Sequence, residues 1–398
     1  MKNQVKRKRT PFFVIVVLVA FIVGIGVGLL IPNSGPLHIS KPVRTSIPKA
    51  APVGISYGDT LVWDSSSVLS QTLNDAVALG ITTIRLDLGW DDIQPVSAST
   101  YNWTNFDKVV QAARSRNLTL LPTLAYTPPW ARPLGCTTAQ CAPANPNAFA
   151  SFAAAASTRY APMGIHTWEI WNEPNVVDFW QPAPNVAQYV NLLNATSTAI
   201  RAADPQSFIV SGGLAPTATS NGNIAPLDFF SQFANQGGIS LVDAIGDHPY
   251  SYPVPPAYNA GWNAWQQMTS SSPSIESILV AYGAASKKIW ITEYGAPTNG
   301  PGAGATLSNY NFALSPDHVD EALQAQMAND AVRLARSSSY IGALYWYSYQ
   351  DLGTAKSTIE NFFGLRRFDG SAKPAWQSLH NAIIATNSGP LSPMHFIK

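Results

Sequence analysis

A short apolar run recurs eight times along this chain, and each run is followed by a loop and a helix-length amphipathic segment. Several runs are almost continuously apolar, which is typical of strands buried on both faces. The segments between them show helical spacing, as in the single apolar face formed by Val186, Tyr189, Leu193 and Ile200. The predicted strands are residues 53–57, 83–90, 118–126, 166–171, 208–212, 242–248, 288–294 and 342–349.

Eight strand–helix units predict an α/β fold of one kind, a (β/α)8 TIM barrel, over residues 53–388. A doubly wound sheet is the alternative, but it usually has fewer units, and the sequence shows no Gly-rich phosphate loop. We also predict that Pro316 begins the long helix before the last strand. Active sites of such barrels lie at the C-terminal ends of the strands. The residues that end each run are therefore the candidates for function.

The N-terminal region has the pattern of a membrane anchor. Residues 1–10 form a basic flank, and residues 11–31 form an uncharged apolar stretch long enough to span a bilayer as one helix. We predict an uncleaved signal anchor, a Pro/Ser-rich linker at 32–52 and a C-terminal tail at 389–398. The barrel would then lie outside the cytoplasm at the cell membrane. A cleaved signal peptide and a secreted protein remain the alternative, because the residues Asn33-Ser34-Gly35 leave a cleavage site open.

Charge and cysteine content narrow the class of protein further. The net charge is +1 and much of the basic charge lies in the N-terminal flank, so nothing favours a nucleic-acid partner. The two cysteines, Cys136 and Cys141, lie close together in an exported chain, which favours a disulfide over two free thiols. Without neighbouring histidines they make a poor zinc site, and we expect neither metal nor organic cofactor.

The strand ends carry the side chains that sugar chemistry requires. Glycosidic hydrolysis needs one carboxyl group to protonate the leaving oxygen and a second carboxylate across the anomeric carbon. Glu173 and Glu293 end the fourth and seventh runs and can supply both. Aromatic rings stack on the apolar faces of sugars. Candidate substrate-binding residues at the same ends are Arg85, Tyr126, Trp130, Asn172, His248, Tyr250 and Trp346.

Two motifs among these residues carry a family resemblance. Residues 168–175, WEIWNEPN, resemble the strand-four signature of clan A glycoside hydrolases, and residues 289–295, IWITEYG, resemble the strand-seven signature. The resemblance covers residues 53 to about 385 and is closest to bacterial families 39 and 5. It implies a retaining enzyme in which Glu173 is the acid/base and Glu293 is the nucleophile.

The resemblance also implies roles for neighbouring side chains. Asn172 would contact the sugar 2-hydroxyl, and Arg85 would lie beside the nucleophile. His248 and Tyr250 match the His-x-Tyr of family 5, in which the tyrosine orients the nucleophile. Trp346 would be the aromatic platform under the sugar at the cleaved bond.

One position departs from the family 5 pattern. Family 5 enzymes usually carry a histidine at the end of strand three, where this chain has Tyr126 and, further on, Trp130. The difference favours family 39 and leaves the sugar open. Glu169, four residues before Glu173, is expected to be a buried partner of Arg85 or His166 without a catalytic role.

The predicted function is retaining hydrolysis of O-glycosyl bonds, with endo action on a cell-envelope or extracellular polysaccharide. An exo-acting β-glycosidase is one alternative. A carbohydrate-binding barrel without turnover is another, although such proteins usually lose one of the two carboxylates. A scaffold that acts through its outer helices is a third, which survival of function without both glutamates would favour.

Overall fold

The structure, a computed structural model, describes residues 50–385. Its eight strands close into a barrel in the order of the sequence, and all neighbouring strands are parallel. Each predicted run overlaps one strand, with ends that differ by two residues at most, so the predicted (β/α)8 architecture is confirmed. The strands are β1 Val53–Ser56, β2 Thr83–Gly89, β3 Thr119–Ala125, β4 Thr167–Ile170, β5 Phe208–Ser211, β6 Ala244–Asp247, β7 Lys288–Tyr294 and β8 Ile341–Tyr347.

Helices follow the strands and pack around the barrel. The α-helices are α1 Thr60–Trp63, α2 Ser66–Ala78, α3 Trp90–Ile93, α4 Thr104–Arg114, α5 Pro146–Tyr160, α6 Val186–Ala203, α7 Pro226–Asn235, α8 Ala264–Gln267, α9 Ile275–Ala281, α10 Glu321–Ser337 and α11 Pro374–Ile384. Short 3₁₀ helices lie at Pro129–Ala131, Ala161–Met163, Gly238–Leu241, Phe312–Leu314 and Ile359–Phe362.

The start of α10 differs from the prediction at Pro316. The helix begins at Glu321, and the side chain of Asp320 caps it by accepting a hydrogen bond of 2.7 Å from the Leu323 amide. The preceding Val319 forms a parallel bridge with Ala305, which holds the backbone extended up to the cap. The stronger capping residue and this bridge therefore decide where the helix starts.

The barrel has two layers of apolar packing. Strand side chains that face outward pack against the helices in the main core. A smaller cluster fills the barrel interior and consists of Leu121, Val210, Ala244, Ala343 and Tyr345.

The disulfide prediction is confirmed, since Cys136 and Cys141 are joined in the loop after β3. Within residues 50–385, none of the helices is both long enough and apolar enough to cross a bilayer. The predicted flank at 1–10, the anchor at 11–31, nearly all of the linker at 32–52 and the tail at 389–398 lie outside the described residues. Those segments and their boundaries stay predictions.

Candidate active site

Arg85 is the centre of the polar network at the strand ends. Its side chain is fully buried, and it donates to Glu169 at 2.5 Å from Nε and to Glu293 at 2.5 Å from Nη1. Nη2 donates to Asn172 Oδ1 at 2.8 Å, and Nη1 also donates to Ser56 Oγ at 3.0 Å. Burial alone would lower the pKa of Arg85, but the charges of Glu169 and Glu293 raise it well above its usual value.

Glu169 is the partner of Arg85 inside the barrel. It is fully buried and accepts further hydrogen bonds from Thr123 Oγ1 at 2.8 Å and from the Gly213 amide at 3.1 Å. With its oxygens engaged in this way, Glu169 lies in the barrel wall as a structural partner of Arg85. His166 has a separate partner, Asp204, at 2.7 Å.

Glu293 sits at the end of β7 between donors. Besides Arg85, it accepts a hydrogen bond of 2.7 Å from the Tyr250 hydroxyl on Oε2. Burial alone would raise the pKa of Glu293, but the charges of His248 and Arg85 and the hydrogen bonds from Tyr250 and Arg85 lower it below its usual value. This carboxylate is therefore held in its ionised form.

Glu173 follows β4 and has a different environment. Oε1 lies 2.8 Å from His248 Nδ1, and the backbone of Glu173 has a left-handed φ of 45°. Burial raises the pKa of Glu173, and the negative charge of Glu293 adds to this, while His248 opposes it; the net shift is upward. Glu173 is thus the carboxyl group of the pair that retains its proton more readily.

His248 lies between the two glutamates and is fully buried. Its Nδ1 is 2.8 Å from Glu173 Oε1 and 3.8 Å from Glu293 Oε2, and its Nε2 is 3.0 Å from Thr292 Oγ1. Gly213 permits this position, since a Cβ atom there would meet the imidazole ring at 2.2 Å. Burial alone would lower the pKa of His248. The negative charges of Glu293 and Glu173 outweigh this effect, so the net shift is to above its usual value.

An oxygen from each glutamate and a nitrogen of His248 lie within 4.8 Å of one another. This spacing could in principle hold a metal ion. However, the polar atoms already have protein partners, and the guanidinium of Arg85 supplies positive charge beside Glu293. The set therefore fits a pair of reacting carboxyl groups with their supporting donors better than a metal centre.

Asn172 and Tyr126 lie next to this network. Because Arg85 can only donate, the 2.8 Å contact fixes Oδ1 of Asn172 as its acceptor and leaves the Asn172 NH2 group for another partner. The Tyr126 hydroxyl donates to Asp87 Oδ2 at 3.1 Å, and Tyr126 is buried at the end of β3 with a φ of 70°. Trp130 lies further out, where its indole donates to the Gln94 carbonyl at 2.7 Å and its ring packs edge-on against Trp90.

Trp346 is placed away from the site, contrary to the prediction of a sugar platform. It is fully buried on the outer face of β8, where its ring packs edge-on against Tyr294 at 6.0 Å. The next residue, Tyr347, faces the barrel interior and pairs in register with Ser56, whose hydroxyl contacts Glu293. Strand alternation, which puts successive side chains on opposite faces, is the physical reason for the correction.

Sequence reasoning also missed the aromatic wall beside Glu293. The Phe363 ring lies 5.7 Å from Tyr250, 5.8 Å from Tyr252 and 5.4 Å from Tyr347. Phe363 belongs to the loop after β8, and no motif in the neighbouring sequence indicates that it lies at the site. The alternation in β8 was the one available signal for Tyr347.

This fold and this carboxyl pair define a class of protein. Two glutamates at the ends of the fourth and seventh strands of a (β/α)8 barrel, supported by Arg, Asn, His and Tyr, are the arrangement of clan A glycoside hydrolases. A model of the cellulase family (glycosyl hydrolase family 5) matches residues 48–348, which is more than half of the chain. The chain belongs to glycosyl hydrolase family 5.

Known proteins of related families resemble the chain at low identity. A β-xylosidase of Geobacillus stearothermophilus is 25% identical over 228 residues, which are 55% of this chain and 42% of the xylosidase. A family 39 glycoside hydrolase from Bacteroides cellulosilyticus superposes with a TM-score of 0.61 at 21% identity, over 84% of this chain and 64% of the other. A family 5 enzyme (GH5_18) from Streptomyces cattleya, in complex with GlcNAc, superposes with a TM-score of 0.60 at 15% identity, over 84% of this chain and 80% of the other.

The chain thus spans less than half of the length of that curated relative, and the structural likenesses show the shared fold. The family match falls on family 5, so the expectation of family 39 from the missing histidine after β3 is not confirmed. Structures of similar fold come from both families.

Proposed function

We propose that this protein is a retaining glycoside hydrolase that cleaves O-glycosyl bonds through a covalent glycosyl-enzyme. The observation that carries the proposal is the separation of the carboxyl groups, whose nearest oxygens lie within 4.8 Å. Retaining enzymes hold the two carboxyl groups about 5–5.5 Å apart, whereas inverting enzymes need about 6.5–9.5 Å to admit a water molecule. The short separation leaves Glu293 room to attack the sugar directly.

In the first step Glu293 attacks the anomeric carbon while Glu173 protonates the leaving oxygen. The structure supports these roles because the pKa of Glu293 is lowered by His248 and Arg85, whereas burial raises the pKa of Glu173. A bond forms between a Glu293 oxygen and the anomeric carbon, the glycosidic bond breaks, and the proton of Glu173 passes to the leaving group.

In the second step Glu173 acts as a base. Once Glu293 is esterified its negative charge is gone, so one cause of the raised pKa of Glu173 disappears. Ionised Glu173 takes a proton from water, the water oxygen attacks the anomeric carbon, and Glu293 leaves as a carboxylate. His248 Nδ1, 2.8 Å from Glu173 Oε1, stabilises the ionised form in this half of the cycle.

Neighbouring residues position the reactants. Tyr250 and Arg85 each donate to one oxygen of Glu293, so its carboxylate plane is fixed. The Asn172 NH2 group is assigned to a sugar hydroxyl, and Tyr347 replaces Trp346 as the proposed aromatic surface at the cleaved sugar. Tyr126 acts through Asp87, and Trp130 supports the rim through Trp90.

Endo action on a polysaccharide is the finer proposal. Exposed aromatic rings on the loops after β6 and β7 support it, because the exposed Trp262 and Phe312 lie 6.3 Å apart and both pack on Tyr258. Such a surface can stack on sugars beyond the one that is cleaved. The basic flank and apolar stretch of residues 1–31 support a location at the outer face of the cell membrane.

The test is hydrolysis of a panel of polysaccharides and aryl glycosides by residues 50–398, with Glu173→Ala and Glu293→Ala beside the wild type. We expect both substitutions to lower kcat by about 10³-fold or more, and the first product to keep the anomeric configuration of the substrate by NMR. Adding azide distinguishes the acid/base from the nucleophile. Glu173→Ala should give a glycosyl azide of retained configuration, because azide replaces water in the second step, and Glu293→Ala one of inverted configuration.

Equal activity of Glu173→Ala and wild type would show that the acid is another residue. Sugar binding without product from any member of the panel would favour a carbohydrate-binding barrel. Release of single sugars alone, from chain ends, would favour the exo-acting β-glycosidase.

A further inference from the structure

Thr292 lies beside His248 at the ends of two neighbouring strands. The parallel strands β6 and β7 pair Asp247 with Ile291, so the next residues along them, His248 and Thr292, stand side by side. Nε2 of His248 is 3.0 Å from Thr292 Oγ1, and both side chains are fully buried. Gly213 makes this approach possible, because a Cβ atom there would lie 2.2 Å from the imidazole ring and 2.6 Å from Oγ1.

The direction of this hydrogen bond follows from the partners of the Thr292 hydroxyl. Among residues 50–385, Oγ1 makes no hydrogen bond other than the one with Nε2 of His248. If Nε2 carried hydrogen, Oγ1 would accept it, and the hydroxyl hydrogen would be buried without a partner. If Nε2 is unprotonated, the hydroxyl donates to it and both atoms are satisfied. Neutral His248 is therefore favoured as the tautomer with hydrogen on Nδ1.

Nδ1 also carries hydrogen when His248 is charged. Burial alone would lower the pKa of His248, but the charges of Glu293 and Glu173 outweigh burial. The positive charge of Arg85 opposes the two glutamates, and the net shift is upward. The imidazolium has hydrogen on both nitrogens, so it donates from Nδ1 while Thr292 accepts from Nε2. The state that Thr292 disfavours is thus the neutral tautomer with hydrogen on Nε2 alone.

Glu173 meets this donor with one of its two oxygens. Nδ1 of His248 is 2.8 Å from Oε1, whereas Oε2 has no hydrogen-bond partner in the described part of the chain. The Glu173 side chain is 12% exposed, so its carboxyl group is accessible from the pocket. An oxygen that accepts from Nδ1–H leaves the carboxyl proton to the other oxygen. With the opposite tautomer, Nδ1 would accept that proton and hold it on Oε1, turned toward the histidine.

We propose that Thr292 is a positioning residue that keeps hydrogen on Nδ1 of His248, so that Glu173 carries its catalytic proton on Oε2. The inference rests on the proposed function, since it concerns the acid of the same reaction. In the first step the O–H bond at Oε2 breaks, its hydrogen passes to the glycosidic oxygen, and its electron pair stays on Glu173. Oε1 keeps the hydrogen bond from Nδ1 throughout, and His248 transfers no proton.

The kinetic test compares two leaving groups on the sugar that the wild type cleaves. Thr292→Val keeps a branched side chain but removes the hydroxyl, so the preference between tautomers is lost. We expect kcat/KM for the phenyl glycoside, whose leaving group needs a proton, to fall by about tenfold. The dinitrophenyl glycoside, whose leaving group departs as an anion, should lose less than about threefold. Thr292→Ser keeps the hydroxyl and should keep both rates. Thr196→Val, which removes a buried hydroxyl bonded to the Leu192 carbonyl on α6, is the matched control and should leave the ratio of the two rates unchanged.

Nuclear magnetic resonance of the full chain with ¹⁵N-labelled histidine tests the tautomer without a substrate, because the shift of each ring nitrogen shows whether it carries hydrogen. The His248 signals are assigned by their absence in His248→Gln. We expect hydrogen on Nδ1 at every pH and on Nε2 only in the charged ring. Neutral His248 with hydrogen on Nε2 in the wild type would overturn the inference, whether or not the protein hydrolyses any glycoside. An equal loss for both glycosides in Thr292→Val would also overturn it, because the hydroxyl would then act on the structure alone.

Discussion

The hydrogen bond from Tyr250 to Glu293 gives the sharpest test of how this site controls its proposed nucleophile. The Tyr250 hydroxyl lies 2.7 Å from Oε2, and it is one of the causes that lower the pKa of Glu293. Tyr250→Phe removes the hydroxyl and keeps the ring that packs against Phe363. Because the lost bond favours the ionised carboxylate, the pKa of Glu293 must rise.

The size of the shift follows from the energy of the bond. A hydrogen bond to a charged group contributes about 1.5–3 kcal/mol, and one pKa unit corresponds to about 1.4 kcal/mol. We therefore expect the pKa of Glu293 to rise by about one to two units. The proposed mechanism requires ionised Glu293, so the acid limb of the pH profile of kcat/KM should move to higher pH by the same amount.

The assay is the pH dependence of kcat/KM with an aryl glycoside that the wild type cleaves. Tyr294→Phe is the matched control, since Tyr294 is next to Glu293 but its hydroxyl bonds Ser251 at 2.9 Å and its ring lies in the outer core. The control should leave the acid limb in place. An unmoved acid limb in Tyr250→Phe would refute the electrostatic role of this hydroxyl, even if the overall rate fell.

Two further substitutions test the framework around the site. Gly213→Ala puts a Cβ 2.2 Å from the His248 ring, so it should lower kcat/KM and should lower the free energy of unfolding by about 1–3 kcal/mol. The control Gly261→Ala, with open space around its Cβ, should change neither quantity. If Gly213→Ala changes neither quantity, the His248 ring can move freely. Lys373 is buried and donates to Asp351 at 2.7 Å, so Lys373→Ala should lower the free energy of unfolding by about 3–5 kcal/mol in a urea titration, whereas the pair Lys373→Met with Asp351→Leu should recover much of the loss. A loss below about 1 kcal/mol in the single variant would contradict the buried-pair argument.

The barrel was predictable because its strands are buried on both faces. Such strands appear in the sequence as near-continuous apolar runs, and each of the eight runs overlaps a strand. The ends of individual helices and strands were less predictable, because local contacts decide where each one begins and ends. At α10 the cap at Asp320 and the bridge at Val319 outweigh the signal of Pro316.

Strand alternation explains which site residues sequence reasoning placed and which it missed. Trp346 was chosen as a tryptophan at a strand end that matches the strand-eight platform of the family, whereas the period of two in β8 puts Ala343, Tyr345 and Tyr347 on the interior face. At the end of β7 the alternation itself fails. Thr292 and Glu293 are consecutive, yet both approach His248, at 3.0 and 3.8 Å. Thr292 follows the alternation from Trp290, so Glu293 is the residue that departs from it, where the register between Ile291 and Tyr294 is irregular. No local sequence motif predicts this irregularity.

Arg85 pairs with two carboxylates for which we propose different tasks. Glu169 engages Nε of Arg85 deep in the barrel, while Glu293 meets Nη1 at the pocket. A buried guanidinium paired with Glu293 alone would hold that carboxylate more tightly, and under the proposed mechanism this would make it a poorer nucleophile. With Glu169 sharing the charge, Arg85 can keep Glu293 ionised while leaving it able to attack. The network thus explains why a buried glutamate without a catalytic role stands four residues before the proposed acid.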